Sequence, residues 1–393
     1  MIPVMAQELG EKVRQAYRVS LPSLVVSLII GFFGGTFLGK YLEKISRDYP
    51  GLLVILPGMM GLRGNVFGSM ASRFSTMLYL GDLEPSLREK KVLKNIVIAM
   101  LLSLIPVTIL WAIGVIQGIR YHALQILLIV VSSTILVSLI LGYFTAFVTI
   151  FAFRKEVDPD SMAAPLVASM GDLLTIPALI AFILLLETSK ETFWGSNLAL
   201  ILLFLVLLAI SRVRKAEIVE FKELFTIITA LALLSLISGF TLQRFSGLIG
   251  ASVILGFAYP SILSSFGNYG SIIAAKTSTA LHLGEIDGYL SKEPFMEILA
   301  LFLTTPIVGT LINVFGAGIA YFIAGAEPRI VYELTLSYPF MALLIMLYSY
   351  TISYFLFQKN IDPDNVAIPL ISNNSDIFGT IYVVVIAKLM VGG

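Results

Sequence analysis

Eleven long apolar segments make up most of this chain and restrict the folds open to it. Each is long enough to cross a bilayer as an α-helix, which takes about 20 residues. Of the 393 residues, 58% are hydrophobic and only 13% are charged, more apolar surface than a soluble core needs. We therefore predict an all-α polytopic membrane protein with eleven transmembrane helices. The predicted spans lie near 19–39, 49–81, 95–119, 121–153, 161–186, 192–211, 224–243, 245–284, 298–326, 334–358 and 365–390.

The distribution of Lys and Arg predicts the orientation in the cell membrane. With the N-terminus inside, the inner segments hold 15 of these residues and the outer segments hold 8. Because cytoplasmic loops are enriched in Lys and Arg, we predict a cytoplasmic N-terminus and a C-terminus outside. Three further basic residues, Arg63, Arg73 and Lys276, lie away from the ends of predicted spans, whereas Lys388, at the end of the eleventh span, is counted with the outer residues. The net charge of +1 indicates no nucleic-acid partner, and the absence of cysteine excludes thiolate metal sites.

An internal duplication covers most of the chain. The segment from Gly64 to Gly81 aligns without a gap with the segment that begins at Gly267, and eight of its eighteen positions are identical. Residues 157–172 align at nearly the same spacing with a second block, with seven of sixteen positions identical. Both copies of that block contain Asp-Pro-Asp, which starts at Asp158 and at Asp362. Two blocks at one spacing indicate a repeat.

The duplication predicts the domain organisation. A short cytoplasmic N-terminal arm occupies 1–18, a first five-helix repeat 19–187, a linking transmembrane helix 188–215, and a second five-helix repeat 216–393. Five spans are an odd number, so directly joined repeats would be inverted relative to each other. The linking helix would return the chain to the inside, and we predict two parallel repeats about an axis along the membrane normal. Inverted-repeat transporters place that axis in the membrane plane instead.

Asp172 and Asp376 occupy equivalent positions in the fifth and eleventh spans, whose only other charged residue is Lys388 near the end of the eleventh. An ionisable group at membrane depth costs roughly 3 kcal/mol on insertion scales and is a functional-site hypothesis by default. Mg²⁺ keeps most of its waters and is held by one or two carboxylates, so a carboxylate pair suits this ion. Two alternatives stay open. The aspartates are structural, either protonated or paired with Arg73 and Lys276, or one of them carries protons.

Asn65 and Asn268 are the second duplicated polar feature. They lie among glycines and prolines in the second and eighth spans, where a buried amide needs a partner. These asparagines either line an ion path, or the glycines and prolines there only pack and kink the helices. Neighbouring carbonyl and amide oxygens would complete the coordination. The predicted metal-site residues are Asp172, Asp376, Asn65, Asn268, Ala168 and Ser372.

The order of these motifs resembles the membrane domain of MgtE-type magnesium transporters, and more closely their two-repeat branch, solute carrier family 41. The first repeat carries Gly-Asn at 64–65, Ala-Ser-Arg-x-Ser-Thr at 71–76 and Gly-Asp at 171–172. The resemblance implies Mg²⁺ transport, with the ion bound by a helix aspartate that corresponds to Asp172 and Asp376. It also implies a pore lined by the Gly-Asn helix. The large cytoplasmic sensing domains of MgtE have no counterpart in the roughly twenty residues before the first span.

We therefore predict transport of Mg²⁺ through a central path between two pseudo-symmetric repeats, the hydrated ion held by one aspartate from each. The alternative is a Na⁺- or H⁺-coupled exporter of Mg²⁺, Mn²⁺ or Co²⁺ that works by alternating access. Mg²⁺ is the transported substrate in the first of these two predictions. The chain is not predicted to be an enzyme, because its two histidines are far apart in the sequence and form no catalytic or metal-ligand cluster. A monomer is expected to suffice, since the duplication supplies what a dimer supplies in MgtE.

Overall fold

Helices account for the regular structure in every described part of the chain. The structure is a computed structural model that describes residues 2–116, 123–156, 159–214, 221–327, 329–361 and 363–392. Its first two helices are joined by a π-helical turn, Ala16–Ser20. The α-helices are α1 Ile2–Gln15, α2 Leu21–Asp48, α3 Pro50–Tyr79, α4 Lys90–Ile116, α5 Ala123–Arg154, α6 Pro159–Thr188, α7 Lys190–Ser211, α8 Lys222–Ala251, α9 Val253–His282, α10 Lys292–Phe302, α11 Thr305–Ala324, α12 Tyr332–Gln358 and α13 Pro363–Gly392.

The prediction of an all-α polytopic membrane protein is confirmed. Within the described residues, 10 helical stretches are long and apolar enough to cross a membrane. Helix α9, the eighth of the eleven predicted spans, is not among them, although it is as long as α3, with 30 residues. Its serines, threonines, Asn268 and Lys276 lower its hydropathy, and neighbouring helices bury most of its length. A helix that is shielded by protein needs less apolar surface than one that faces lipid.

The structure divides two predicted spans into separate helices, although Lys292–Ala324 still matches the span predicted near 298–326. The segment near 245–284 is divided, because α8 continues to Ala251 and α9 begins at Val253. Ser252 separates them as the N-cap of α9, and its hydroxyl accepts a hydrogen bond from the Leu255 N–H at 3.4 Å. The segment near 298–326 consists of two helices, α10 and α11, with Pro306 in the first turn of α11. Proline has no N–H to continue a helix but fits a helix start.

Packing divides the chain into two compact units that differ from the sequence repeats. The first-repeat unit is Lys44–Arg244, and the second-repeat unit combines Met1–Glu43 with Phe245–Gly393. Helix α2 up to Glu43 therefore belongs to the second-repeat unit, and α8 up to Arg244 belongs to the first-repeat unit. Each predicted repeat thus contributes its first helix to the other unit. The five-helix repeats themselves stay a prediction from the sequence.

These exchanged helices make matching backbone contacts within their units. A Cβ atom placed on Gly35 of α2 would lie 1.9 Å from the carbonyl oxygen of Phe257 in α9. A Cβ atom placed on Gly239 of α8 would lie 1.8 Å from the carbonyl oxygen of Val54 in α3. No side chain fits at such a distance, so both helices cross at a glycine, as in the small-residue packing of membrane helices. The duplication therefore extends to three-dimensional contacts.

The repeated Leu-Gly pair ends the two motif helices in the same way. Gly81 follows α3 with φ +75°, and Gly284 follows α9 with φ +72°, both in the left-handed region. The Asp82 N–H donates to the Met77 carbonyl at 2.8 Å, and the Glu285 N–H donates to the Ala280 carbonyl at 2.9 Å. These bonds satisfy carbonyls that a helix end would leave without partners, and glycine adopts the required φ without strain.

Candidate cation site

The first candidate half-site comprises Asn65 on α3 and Ala168 with Asp172 on α6. These two helices belong to the first-repeat unit and pack against each other along much of their length. A Cβ atom built on Gly64 would lie 3.7 Å from the Cβ of Ala168, so the helices touch at the residue before Asn65. Asp172 follows Ala168 by about one turn on the same helix. The side chains of Asn65 and Asp172 are both half-buried.

The second candidate half-site, Asn268 on α9 and Ser372 with Asp376 on α13, repeats this contact within the second-repeat unit. A Cβ atom built on Gly267 would lie 3.7 Å from the Oγ of Ser372. The Asn268 Nδ2 donates a hydrogen bond of 2.7 Å to the Ser27 Oγ. Ser27 lies on α2, so the exchanged helix reaches the asparagine of this half-site.

Polar groups surround Asp376 on its own helix. Asn373 and Ser375 are 3% and 1% exposed, and the Asn374 Nδ2 donates a hydrogen bond of 2.5 Å to the Tyr348 hydroxyl. The backbone carbonyl of Asp376 accepts a hydrogen bond from the Thr380 Oγ1 at 2.7 Å. The second half-site is therefore richer in amides and hydroxyls than the first.

The predicted site does not include Arg63, which the structure places beside Asp172. Arg63 is 1% exposed, and its charge is attracted by that of Asp172. Its Nη1 donates a hydrogen bond to the Thr175 Oγ1, which in turn donates to the Gly171 carbonyl at 2.6 Å. The sequence feature that could have identified Arg63 is its position, since it is a basic residue inside a predicted span, directly before the Gly64–Asn65 motif.

The two other basic residues within predicted spans have different surroundings. The guanidinium carbon of Arg73 lies 4.1 Å from the centroid of the Phe221 ring, and its nitrogens make no hydrogen bond to a described residue. The Lys276 Nζ donates to Glu297 at 2.5 Å, and the same carboxylate accepts a bond of 2.6 Å from Lys12. The alternative in which the aspartates pair with Arg73 and Lys276 is therefore not supported by the contacts found for these two cations.

The Asp-Pro-Asp motifs are described in part. Pro159 and Pro363 are the first residues of α6 and α13, where proline is favoured. Asp158 and Asp362 lie outside the described residues, as do the side chains of the second aspartates, so their capping role stays a prediction.

The chemistry of both half-sites is that of oxygen ligands. Carboxylate, amide, hydroxyl and carbonyl oxygens suit hard cations such as Mg²⁺, Mn²⁺ and Ca²⁺. Among the described residues, no group of three or more His, Cys, Asp or Glu side chains is placed to hold a metal ion. A half-site with one carboxylate is matched to an ion that keeps most of its water.

Comparison with known proteins gives one family and several relatives. The family model described as "MgtE: Divalent cation transporter" matches residues 56–182 and 259–386, one match in each predicted repeat. Solute carrier family 41 member 2 of Mus musculus is 24% identical over 294 residues, which are 69% of this chain and 50% of that protein. This chain therefore spans about half the length of that relative.

Solute carrier family 41 member 3 is covered more fully. The protein of Rattus norvegicus is 26% identical over 365 residues, which are 86% of this chain and 79% of the relative. The protein of Mus musculus is 25% identical over 395 aligned residues, covering 93% of this chain and 80% of the relative. No solved structure matches the chain.

Proposed function

The chain belongs to the MgtE family of divalent cation transporters, and from this premise we propose that it transports Mg²⁺ across the membrane. The observation that carries the proposal is the duplicated helix contact. In both units, the helix with the Gly-Asn pair touches the residue one turn before an intramembrane aspartate, at 3.7 Å in each case. An arrangement that both copies of the duplication keep around an otherwise costly charge supports a functional site there.

Each residue has a role in this proposal. Asp172 and Asp376 hold the hydrated ion, one carboxylate from each repeat. Asn65 and Asn268 orient its water or line the path, and Ala168 and Ser372 contribute carbonyl or hydroxyl oxygens. Mg²⁺ is favoured over Zn²⁺ or Cu⁺ because the donor atoms are oxygens. The chain is proposed to work as a monomer with its N-terminus in the cytoplasm.

Reconstituted protein tests this function. We would measure Mg²⁺ uptake into proteoliposomes for the wild type and for the variant Asp172→Asn/Asp376→Asn. The expected result is uptake by the wild type and background uptake by the variant, because two amides leave the ion without a carboxylate. Uptake that the double variant retains in full would contradict the proposal and make both aspartates structural.

The same vesicles separate a channel-like path from a coupled exporter. Uptake is measured with and without a Na⁺ gradient, and with and without a pH gradient. Flux that ignores both gradients supports a passive Mg²⁺ path. Flux that follows one gradient supports the alternating-access exporter, with Na⁺ or H⁺ as its second ion. Competition by Mn²⁺ and Co²⁺ tests selectivity, which an all-oxygen site provides only weakly.

A further inference from the structure

Arg63 is a full positive charge buried inside the first-repeat unit, and the proposed function does not use it. The residue is 1% exposed and is one of the largest fully buried side chains among the described residues. A buried charge is stable only with a partner of opposite charge and with its hydrogen bonds satisfied. The nature of that partner therefore indicates what the arginine does.

The surroundings of Arg63 tie it to the helix turn that carries Asp172. Its guanidinium donates to the Thr175 Oγ1, three residues after the aspartate, and a Cβ atom built on Gly171 would lie 3.4 Å from the Cβ of Arg63. Asp172 lies on the turn between Gly171 and Thr175, both of which Arg63 contacts, and it has the charge opposite to that of the guanidinium. Thr175 anchors Nη1, and the buried Nη2 nitrogen has no hydrogen-bond partner among the residues that the structure describes. The Nη2 group of the guanidinium is thus left without an acceptor in the described part of the chain.

The position of the second-repeat unit that aligns with Arg63 holds an uncharged residue. Phe266 stands in place of Arg63, is 0% exposed, and stacks on Tyr338 with ring centroids 5.0 Å apart. Gly379 stands in place of Thr175, and a Cβ atom built on it would lie 3.4 Å from the Phe266 ring. The cation and its hydroxyl anchor are both replaced, by an aromatic ring and by the glycine that makes room for it.

We propose that Arg63 is a tethered cation of the first half-site, which balances Asp172 when no divalent ion is bound and weakens divalent binding there. The inference rests on the proposed Mg²⁺ transport and names a residue that sets its affinity. A divalent ion that approaches Asp172 meets a carboxylate already attracted by a fixed positive charge. Arg63 thereby lowers the affinity for the ion and favours its release, which transport requires as much as binding.

The test measures the Mg²⁺ concentration that gives half-maximal uptake into proteoliposomes, normalised to folded protein. Arg63→Met is expected to lower this concentration roughly tenfold, within the range typical of coupled sites. Arg63→Lys keeps the charge and is expected to stay within about threefold of the wild type, although lysine lacks the planar fork. A folded Arg63→Met protein with an unchanged half-maximal concentration would overturn the proposal, because a purely structural arginine alters stability and leaves this value alone.

Arg63→Met alone leaves a buried carboxylate without its counter-charge and risks misfolding. A second comparison therefore uses Asp172→Asn and Arg63→Met/Asp172→Asn, since the double variant removes both charges. Asp172→Asn leaves the guanidinium uncompensated in the half-site and is expected to lose most uptake. The double variant is expected to recover at least about tenfold over Asp172→Asn, by the same coupling. A double variant no more active than Asp172→Asn would overturn the proposal.

Arg73→Met is the matched control. It removes the same charge from the same helix, about 15 Å further along, where the guanidinium lies over the Phe221 ring. Its half-maximal Mg²⁺ concentration is expected to stay near the wild-type value, and a shift as large as that of Arg63→Met would overturn the local role of Arg63. Wild-type vesicles without Mg²⁺ uptake would instead contradict the proposed function, which keeps the two failures distinguishable.

Discussion

The two half-sites have the same helix contact but different charges around it. Both place a glycine of the Gly-Asn helix 3.7 Å from the residue one turn before the aspartate. Beside Asp172 this helix carries a buried arginine, whereas at the aligned position of the other unit it carries Phe266. The duplication therefore preserved the backbone geometry of this contact and let the electrostatics of each copy diverge.

The hydrogen-bond networks show the same divergence. Near Asp172 the hydroxyl of Thr175 accepts from a guanidinium, whereas near Asp376 the hydroxyl of Thr380 lies 2.9 Å from that of Tyr259. The first of these contacts involves a charged group, and the second joins two neutral hydroxyls. Because a buried charge needs its partner far more than a neutral hydroxyl does, substitutions in the first half-site are expected to be felt more strongly.

The largest expected effect falls on the feature that the two copies share. Gly35→Ala and Gly239→Ala each force a methyl group to within 2 Å of a carbonyl oxygen and are expected to destabilise the protein by about 4 kcal/mol or more. Thermal unfolding in detergent measures this, with Gly247→Ala on α8 as the control, because no atom lies within 4 Å of a Cβ there. If only one of the two glycine variants unfolds, the geometric equivalence of the crossings is broken.

The next effect tests the charge difference between the half-sites. Addition of Arg63→Met is expected to rescue Mg²⁺ uptake by Asp172→Asn and to leave Asp376→Asn unrescued. The reason is local, since Arg63 loses its counter-charge only in the first variant. Proteoliposome uptake at saturating Mg²⁺ compares the four proteins. Equal rescue of both aspartate variants would mean that Arg63 acts through the net charge of the protein and has no preference for one half-site.

A smaller effect concerns the asparagines. Asn268→Ala removes the 2.7 Å hydrogen bond to Ser27 and is expected to lower stability by about 1 kcal/mol. Asn65 makes no such bond with the described residues, so Asn65→Ala is expected to change uptake with less change in unfolding temperature. Thermal unfolding and uptake of the two variants provide the comparison. A larger loss of stability for Asn65→Ala would reverse the assignment of structural and functional asparagine.

The smallest effect concerns Glu297, which holds two lysines of the second-repeat unit. Glu297→Gln removes the carboxylate between Lys12 and Lys276 and is expected to destabilise the protein by about 1 kcal/mol. Because these groups are partly exposed, raising the salt concentration is expected to narrow the difference from the wild type. Unfolding temperatures at low and high salt check this, and a salt-independent difference would argue for a packing defect.

Much of the fold follows from composition and pattern alone. Apolar length predicts the helices, because a backbone in lipid must satisfy its own hydrogen bonds. The repeat predicts which residues are equivalent, and the shared contacts at Gly64 and Gly267 agree with that alignment. Apolar length does not predict the helix boundaries near Ser252 and Thr304, because two adjoining apolar helices form one uninterrupted apolar segment in the sequence.

The sequence by itself determined that this chain is helical, embedded in a membrane, internally duplicated and equipped with one intramembrane aspartate per copy. Only the tertiary structure decided which partners those residues have. Arg63, Arg73 and Lys276 are indistinguishable in the sequence, since each is a basic residue away from the ends of a predicted span. In the structure Arg63 contacts the turn that carries Asp172, Arg73 lies over an aromatic ring, and Lys276 pairs with Glu297. The physical reason is that charge pairing depends on the distances between side chains of neighbouring helices. Neither the hydrophobic pattern nor the amino-acid composition of the sequence specifies those distances.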